Sequence, residues 1–189
     1  FSVYNSLAAI CVSEKLGANA EQIKEALEEV RVPGRSELVN NKKDLTIMID
    51  YAHSPESLQN ILQAVKSYTR GRVISVFGCG GDRDSRKRPV MGEISGKIAD
   101  YTIITSDNPR TEKIEDIVAD IEVGLAKTKG KYIVIPDREQ AVEYAVTHAK
   151  KGDMIILLGK GHEEYQEIDG VKYHYSEREA VAKALAKLQ

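Results

Sequence analysis

Little in this chain points to an oxidising compartment. It holds two cysteines, Cys11 and Cys79, far apart and without a Cys or His neighbour at metal-ligand spacing. That pattern argues against a disulfide framework or a structural metal and fits a reducing cytoplasm. Charge of one sign is also lacking, since 27 Lys and Arg stand against 29 Asp and Glu for a net charge of −2. Such balance gives no global reason to expect nucleic acid or an anionic membrane as partner. The longest apolar runs, such as residues 7–12, fall far short of the roughly 20 residues that a membrane span requires. There is no signal-peptide pattern, internal repeat or low-complexity tract. No G-x-x-x-x-G-K-S/T string occurs, which excludes a P-loop phosphate cradle from these residues. At 189 residues, the chain can bury one core, or one domain with an appendage. It opens at Phe1 inside a helical pattern, without an initiator Met, and reads as a piece of a longer polypeptide.

What is present divides near residue 32. Residues 3–15 have helical character and stop at Gly17. Asn19 with Gln22 has the spacing of a capping box, opening a helix to about Val30. Val32-Pro33-Gly34-Arg35 then breaks the rhythm, and the boundary is drawn between residues 1–31 and 32–189. Beyond it, short Ile- and Val-rich runs alternate with helical stretches. The strand readings are residues 45–49, 73–77, 101–105, 132–135 and 154–158, without polar alternation, as in strands buried on both faces. Ser54 followed by Pro55 starts a helix, and Asp137 with Gln140 and Ser176 with Glu179 have capping-box spacing. Asp169-Gly170 reads as a hairpin turn adding an antiparallel edge. The expected fold is α/β and Rossmann-like, a mostly parallel sheet with an antiparallel edge hairpin and helices on both faces.

Sheets of this kind bind ligands at the carboxyl ends of their strands. The loops expected there are the polar ones: residues 50–55, 78–84, 106–110 and 159–164. Four of them on one rim build one charged site. Arg83 and Arg110 are forks able to grip carboxylates, and Asp107 and Glu163 can hold an ammonium, which together describe a pocket for a zwitterion. The bland reading is that these residues pair with one another. Gly78-Cys79-Gly80-Gly81 invites a dinucleotide reading, but Arg83 occupies the third glycine position of G-x-G-x-x-G. The alternatives are a turn needing positive φ, or a backbone left bare for a ligand. His53 and His162 read either as ligand contacts or as loop braces, and His148 and His174 as structural. Arg86-Lys87-Arg88 reads as a phosphate contact or a solvated basic face.

Tyr51-Ala52-His53 after Asp50, the stretch 77–84, Ser106-Asp107-Asn108-Pro109-Arg110 and Gly159-Lys160-Gly161-His162-Glu163 together resemble the Mur ligase family, in its diaminopimelate-adding branch. Asn5 in Tyr4-Asn5-Ser6 and Arg35 after Gly34 also fit, so the resemblance spans essentially the whole chain. It implies that residues 1–31 end a central ATPase domain and that residues 32–189 form the amino-acid-binding domain. It further implies ATP-dependent amide-bond formation in peptidoglycan precursor synthesis in the bacterial cytoplasm. The carboxylate of a UDP-MurNAc dipeptide becomes an acyl phosphate, which the amine of meso-diaminopimelate attacks. On this resemblance Arg83, Asp107, Asn108, Pro109, Arg110, Gly159 and Glu163 bind the amino acid, and Asn5, Arg35 and Asp50 face the nucleotide. No catalytic residue and no metal ligand is assigned to the chain, because ATP and magnesium would be held mainly by sequence it lacks, and it is not expected to be active alone. Lysine-adding and folylpolyglutamate-type ligases are the rival substrates, against which Arg110 argues. A non-catalytic Rossmann-like binding module is the rival class.

Overall fold

Val73–Phe77 and Met154–Leu158 offer almost no polar side chain to water, and both lie in the middle of one sheet with every residue buried. The computed structural model describes residues 2–41 and 43–188. They form two compact units, divided between Val32 and Pro33.

The first unit is a helix pair, α1 (Ser2–Lys15) and α2 (Ala20–Glu29). Gly17, at φ +92°, ends α1, and Asn19 caps α2 with Gln22 reciprocating. α1 leaves Val3, Tyr4, Leu7 and Val12 exposed.

The second unit runs β1 (Glu37–Leu38), β2 (Thr46–Asp50), α3 (Pro55–Tyr68), β3 (Val73–Phe77), α4 (Lys87–Ile98), β4 (Tyr101–Ile104), α5 (Ile114–Leu125), β5 (Tyr132–Val134), α6 (Arg138–His148), β6 (Met154–Leu158), β7 (Tyr165–Ile168), β8 (Val171–His174) and α7 (Glu177–Ala186). The main sheet has the order β1-β2-β6-β3-β4-β5, parallel except for β1. Strand side chains alternate between two cores. Met154, Ile156 and Leu158 pack with α3, α4 and α5, whereas Ile155 and Leu157 pack with α6 and α7. This is the expected fold class, with helices on both faces and apolar strands between them.

Two local readings need correction. The Asp169-Gly170 hairpin forms, with both residues at positive φ as a tight primed turn requires, but it is a separate two-stranded sheet. The antiparallel edge of the main sheet is β1, too short to register as a strand in the sequence. The polar β7 instead spends its backbone groups on the loop after β4: Arg110 N donates to Glu167 O at 3.0 Å, and Asp169 N to Arg110 O at 2.8 Å. Ser176 precedes α7 but makes no side-chain cap bond, and Glu179 pairs with His174 instead. Asp137 does cap α6, accepting from Gln140 N.

Helices α4 and α5 touch through glycine. A Cβ on Gly124 would fall 1.8 Å from Pro89 O, and one on Gly92 would fall 2.1 Å from Ile121 O. Gly124→Ala would gain roughly 1 kcal/mol of helix propensity, yet it must push two backbones apart in a close-packed layer, at about 1–3 kcal/mol or more. The steric term wins, so the urea midpoint is expected to fall. A raised midpoint would show that the helices can separate freely.

Candidate functional site

The order β2-β6-β3-β4 sets four loops side by side at the carboxyl ends of their strands. Between them lies a cavity of about 390 Å³, lined by Arg83, Asp107, Asn108, Arg110, Gly159 and Glu163. Tyr51, His53, Asp84 and Lys87 also border it. Of the residues assigned to the amino acid, only Pro109 is outside the lining; it is buried, and its carbonyl closes on Gly81.

The glycine run has a physical reason different from the one expected of a tight turn. None of Gly78, Gly80 or Gly81 has positive φ. A Cβ on Gly78 would lie 2.1 Å from Thr105 O and one on Gly81 1.8 Å from Pro109 O, so the loops after β3 and β4 pack backbone to backbone. Gly159, at φ +105°, serves the cavity itself, because a side chain there would meet the Asp107 carboxylate at 2.5 Å. Among the described residues no donor reaches that carboxylate, which is almost buried at the cavity floor.

Arg110 is a half-buried fork held from behind. Its Nη1 donates to Gly81 O at 2.8 Å, and its Nε faces Glu167 Oε2 at 3.3 Å. Its backbone is left-handed, at φ +53°. Arg83 stands at the exposed rim, donating to Asp82 O. The basic run Arg86-Lys87-Arg88 splits three ways and is not one solvated face, since Arg88 is buried. Arg86 is exposed on Asp84; Lys87 donates to His53 O at 2.9 Å; Arg88 is buried, pairs with Glu112 and Asp120, and reaches Gly80 O.

Glu163 accepts from Tyr51 OH on Oε1 at 3.2 Å and from Asn108 Nδ2 on Oε2 at 3.0 Å. Burial alone would raise its carboxyl, but the bonds from Asn108 and Lys160 outweigh that and hold it below the usual range. Burial, followed by the Glu163 charge, raises the Tyr51 phenol, which therefore stays protonated as a donor. Cys79 borders the cavity with its thiol pushed up to about 12 by burial, so it stays an inert thiol.

Lys160 was overlooked in the sequence. It is fully buried, with Nζ at 2.7 Å from Asn108 Oδ1 and 3.0 Å from Glu163 Oε2. The signal available was a lysine between two glycines directly after a wholly apolar strand. Arg138 was overlooked too: it is buried, paired with Glu177, and donates to Ser106 O, two residues beyond β4, and to Leu158 O, at the end of β6.

The residues assigned to the nucleotide are distributed differently. Asn5 lies on α1 in the first unit. Arg35 is exposed, with its guanidinium 4.7 Å from the Tyr51 ring centre. Asp50 is buried and accepts from Ser36 N at 2.7 Å and Ala52 N at 2.8 Å, so its carboxylate already braces two loops. His53 Nδ1 meets Tyr51 O at 2.7 Å, and His162 stacks obliquely near Tyr51. Among the described residues no group of three His, Cys, Asp or Glu side chains could hold a metal ion. No described helix is long and apolar enough to cross a membrane.

Comparison with known proteins bears on this site. A family model described as "Mur ligase, glutamate ligase domain" matches residues 34–161. The chain is 52% identical over 187 residues to the UDP-N-acetylmuramoyl-L-alanyl-D-glutamate–2,6-diaminopimelate ligase of Caldanaerobacter subterraneus subsp. tengcongensis, covering 99% of this chain and 39% of that protein. It is 48% identical to the ligase of the same name from Clostridioides difficile, covering 100% of this chain and 39% of that one. A solved structure of a ligase of that name superposes with a TM-score of 0.78 at 34% identity, covering 99% of this chain and 38% of the other. The chain thus spans about two fifths of the length of these relatives.

Proposed function

Because the chain belongs to the Mur ligase family, we propose that its cavity is the amino-acid site of an ATP-dependent ligase that adds meso-diaminopimelate to UDP-MurNAc-L-Ala-D-Glu in the bacterial cytoplasm. Residues 1–31 would close the central domain of that enzyme, and residues 32–189 would be its amino-acid-binding domain. One observation carries the reading: Arg forks and carboxylates of three separate loops, with Tyr51 and His53 of a fourth, line a single cavity.

A zwitterion with a second amino-acid end needs this combination. Arg110 offers the guanidinium edge not taken by Gly81 O and Glu167 to one carboxylate, and Arg83 stands at the rim for the other. Asp107 and Glu163 face the cavity with acceptor capacity left for ammonium hydrogens. Held at one end by these groups, the amino acid presents its other amine to an activated carboxylate, and fixed proximity supplies several kcal/mol of the barrier. The polar groups line a recess where domain closure would exclude water.

When bound, ATP with magnesium supplies the activation of the acceptor carboxylate. The carboxylate of Asp50 already accepts from Ser36 N and Ala52 N. By the family resemblance, both groups would be held mainly by sequence outside this chain, with Asn5, Arg35 and Asp50 on the nucleotide side.

The test is an amino-acid panel with the whole ligase, read as phosphate release. Use of meso-diaminopimelate well above lysine and glutamate is expected. Equal use of lysine would remove the assigned role of Arg110, and preference for glutamate would point to the folylpolyglutamate-type chemistry.

A further inference from the structure

We infer that Lys160 is a positioning residue for the incoming amino acid: its ammonium locks Asn108 and Glu163 into one arrangement and leaves Glu163 Oε1 directed at the substrate. The inference rests on the amino-acid site proposed above and adds a residue to it.

Lys160 cannot touch a ligand, because its side chain is wholly shielded from solvent. A buried ammonium is costly unless several acceptors compensate it. Here the acceptors belong to the site. Nζ donates to Asn108 Oδ1 and Glu163 Oε2, and the Tyr165 ring lies 5.2 Å away. Asn108 then has no choice of orientation. Its Oδ1 also accepts from Glu167 N at 2.9 Å, so its Nδ2 must point to Glu163 Oε2. A flipped amide would set an NH₂ group against two donors. Oε2 of Glu163 is thereby saturated by two donors, while Oε1 has only the longer bond from Tyr51 OH. Glu163 lines the cavity, and its free acceptor capacity is on Oε1.

The charge count points the same way. Asp107 and Glu163 are two carboxylates that line one small recess. Burial moves the Lys160 ammonium down from its ordinary value, while the charges of Asp107 and Glu163 both attract it. The bonds from Asn108 and Lys160 in turn hold the Glu163 carboxyl below its usual range, against the effect of burial.

The expected result for Lys160→Met in the whole ligase is a KM for meso-diaminopimelate raised roughly tenfold to a hundredfold, the size of a lost charge-assisted hydrogen-bond set. At saturating diaminopimelate, kcat should stay within about threefold, and the KM values for ATP and the UDP-sugar substrate should not move. A double-mutant cycle gives the readout that a merely structural lysine would not move. In a Glu163→Gln background, Lys160→Met should cause little further loss, because Lys160 acts through Glu163. Should Lys160→Met lose its cooperative unfolding transition, Lys160→Gln carries the same cycle with a polar side chain left in place. An unchanged diaminopimelate KM in the single variant, or fully additive losses in the cycle, would overturn the inference. A wild-type enzyme that ignores meso-diaminopimelate would instead overturn the proposed function.

Discussion

Arg110→Ala in the whole ligase is expected to lower kcat/KM for meso-diaminopimelate by roughly 30- to 150-fold, about 2–3 kcal/mol, the range for a charge-assisted contact to a ligand carboxylate. The KM for ATP should be unaffected. The substitution leaves Cβ in place, so the left-handed backbone at φ +53° is no more strained than before. What is lost is the fork held by Gly81 O and Glu167. The same two contacts set a limit on selectivity. With lysine bound, the guanidinium still has its carbonyl and carboxylate partners, so it is not left bare as an isolated buried cation would be. Discrimination against lysine through Arg110 alone should therefore be nearer tenfold than a thousandfold. Steady-state kinetics with both amino acids check both numbers. Diaminopimelate kinetics unchanged by the substitution would take Arg110 out of the substrate's reach.

The largest stability effect is expected at Arg138. Its side chain and that of Glu177 have no solvent exposure, and the pair is reinforced by Tyr175 OH, which donates to Glu177 Oε2 at 2.7 Å. Burial would lower the guanidinium's affinity for its proton, but the Glu177 charge overrides this, so Arg138 remains charged. Arg138→Ala strands a buried carboxylate and also removes the donor to Ser106 O and Leu158 O. A loss of about 3–5 kcal/mol in urea unfolding is expected. Adding Glu177→Leu to an Arg138→Met variant should recover much of it, because an apolar pair leaves no uncompensated charge. A single-variant loss below about 1 kcal/mol would mean that water enters the site and solvates Glu177.

Arg138 also shows where sequence reading stops. Asp137 and Ser176 carry helix-start signals, and the N-cap bond of Asp137 to Gln140 forms. Between and beside those signals sit Arg138 and Glu177, whose partnership spans 39 positions and has no local trace. Lys160 is similar. Its place after an apolar strand was legible, but its two acceptors come from a loop 52 residues earlier and from Glu163. By contrast, the positions of β3 and β6 could be read directly, because both are short apolar runs, broken only by Ser75, and a strand buried on both faces calls for such a run. The hairpin turn was equally local, since Asp169 and Gly170 both adopt positive φ. The sheet that the hairpin joins was not, as nothing in its polar strands encodes the partner.

From its residues alone this protein was bound to be a parallel α/β domain with charged loops after apolar strands, for burial and backbone conformation act over a few residues at a time. The order of the strands was a tertiary decision. Sliding β6 between β2 and β3 brings Gly159 and Glu163 against Asp107 and Asn108. All five parallel strands are apolar enough to fit several places in the sheet, so packing between distant elements, rather than any local pattern, selected the arrangement that closes the cavity.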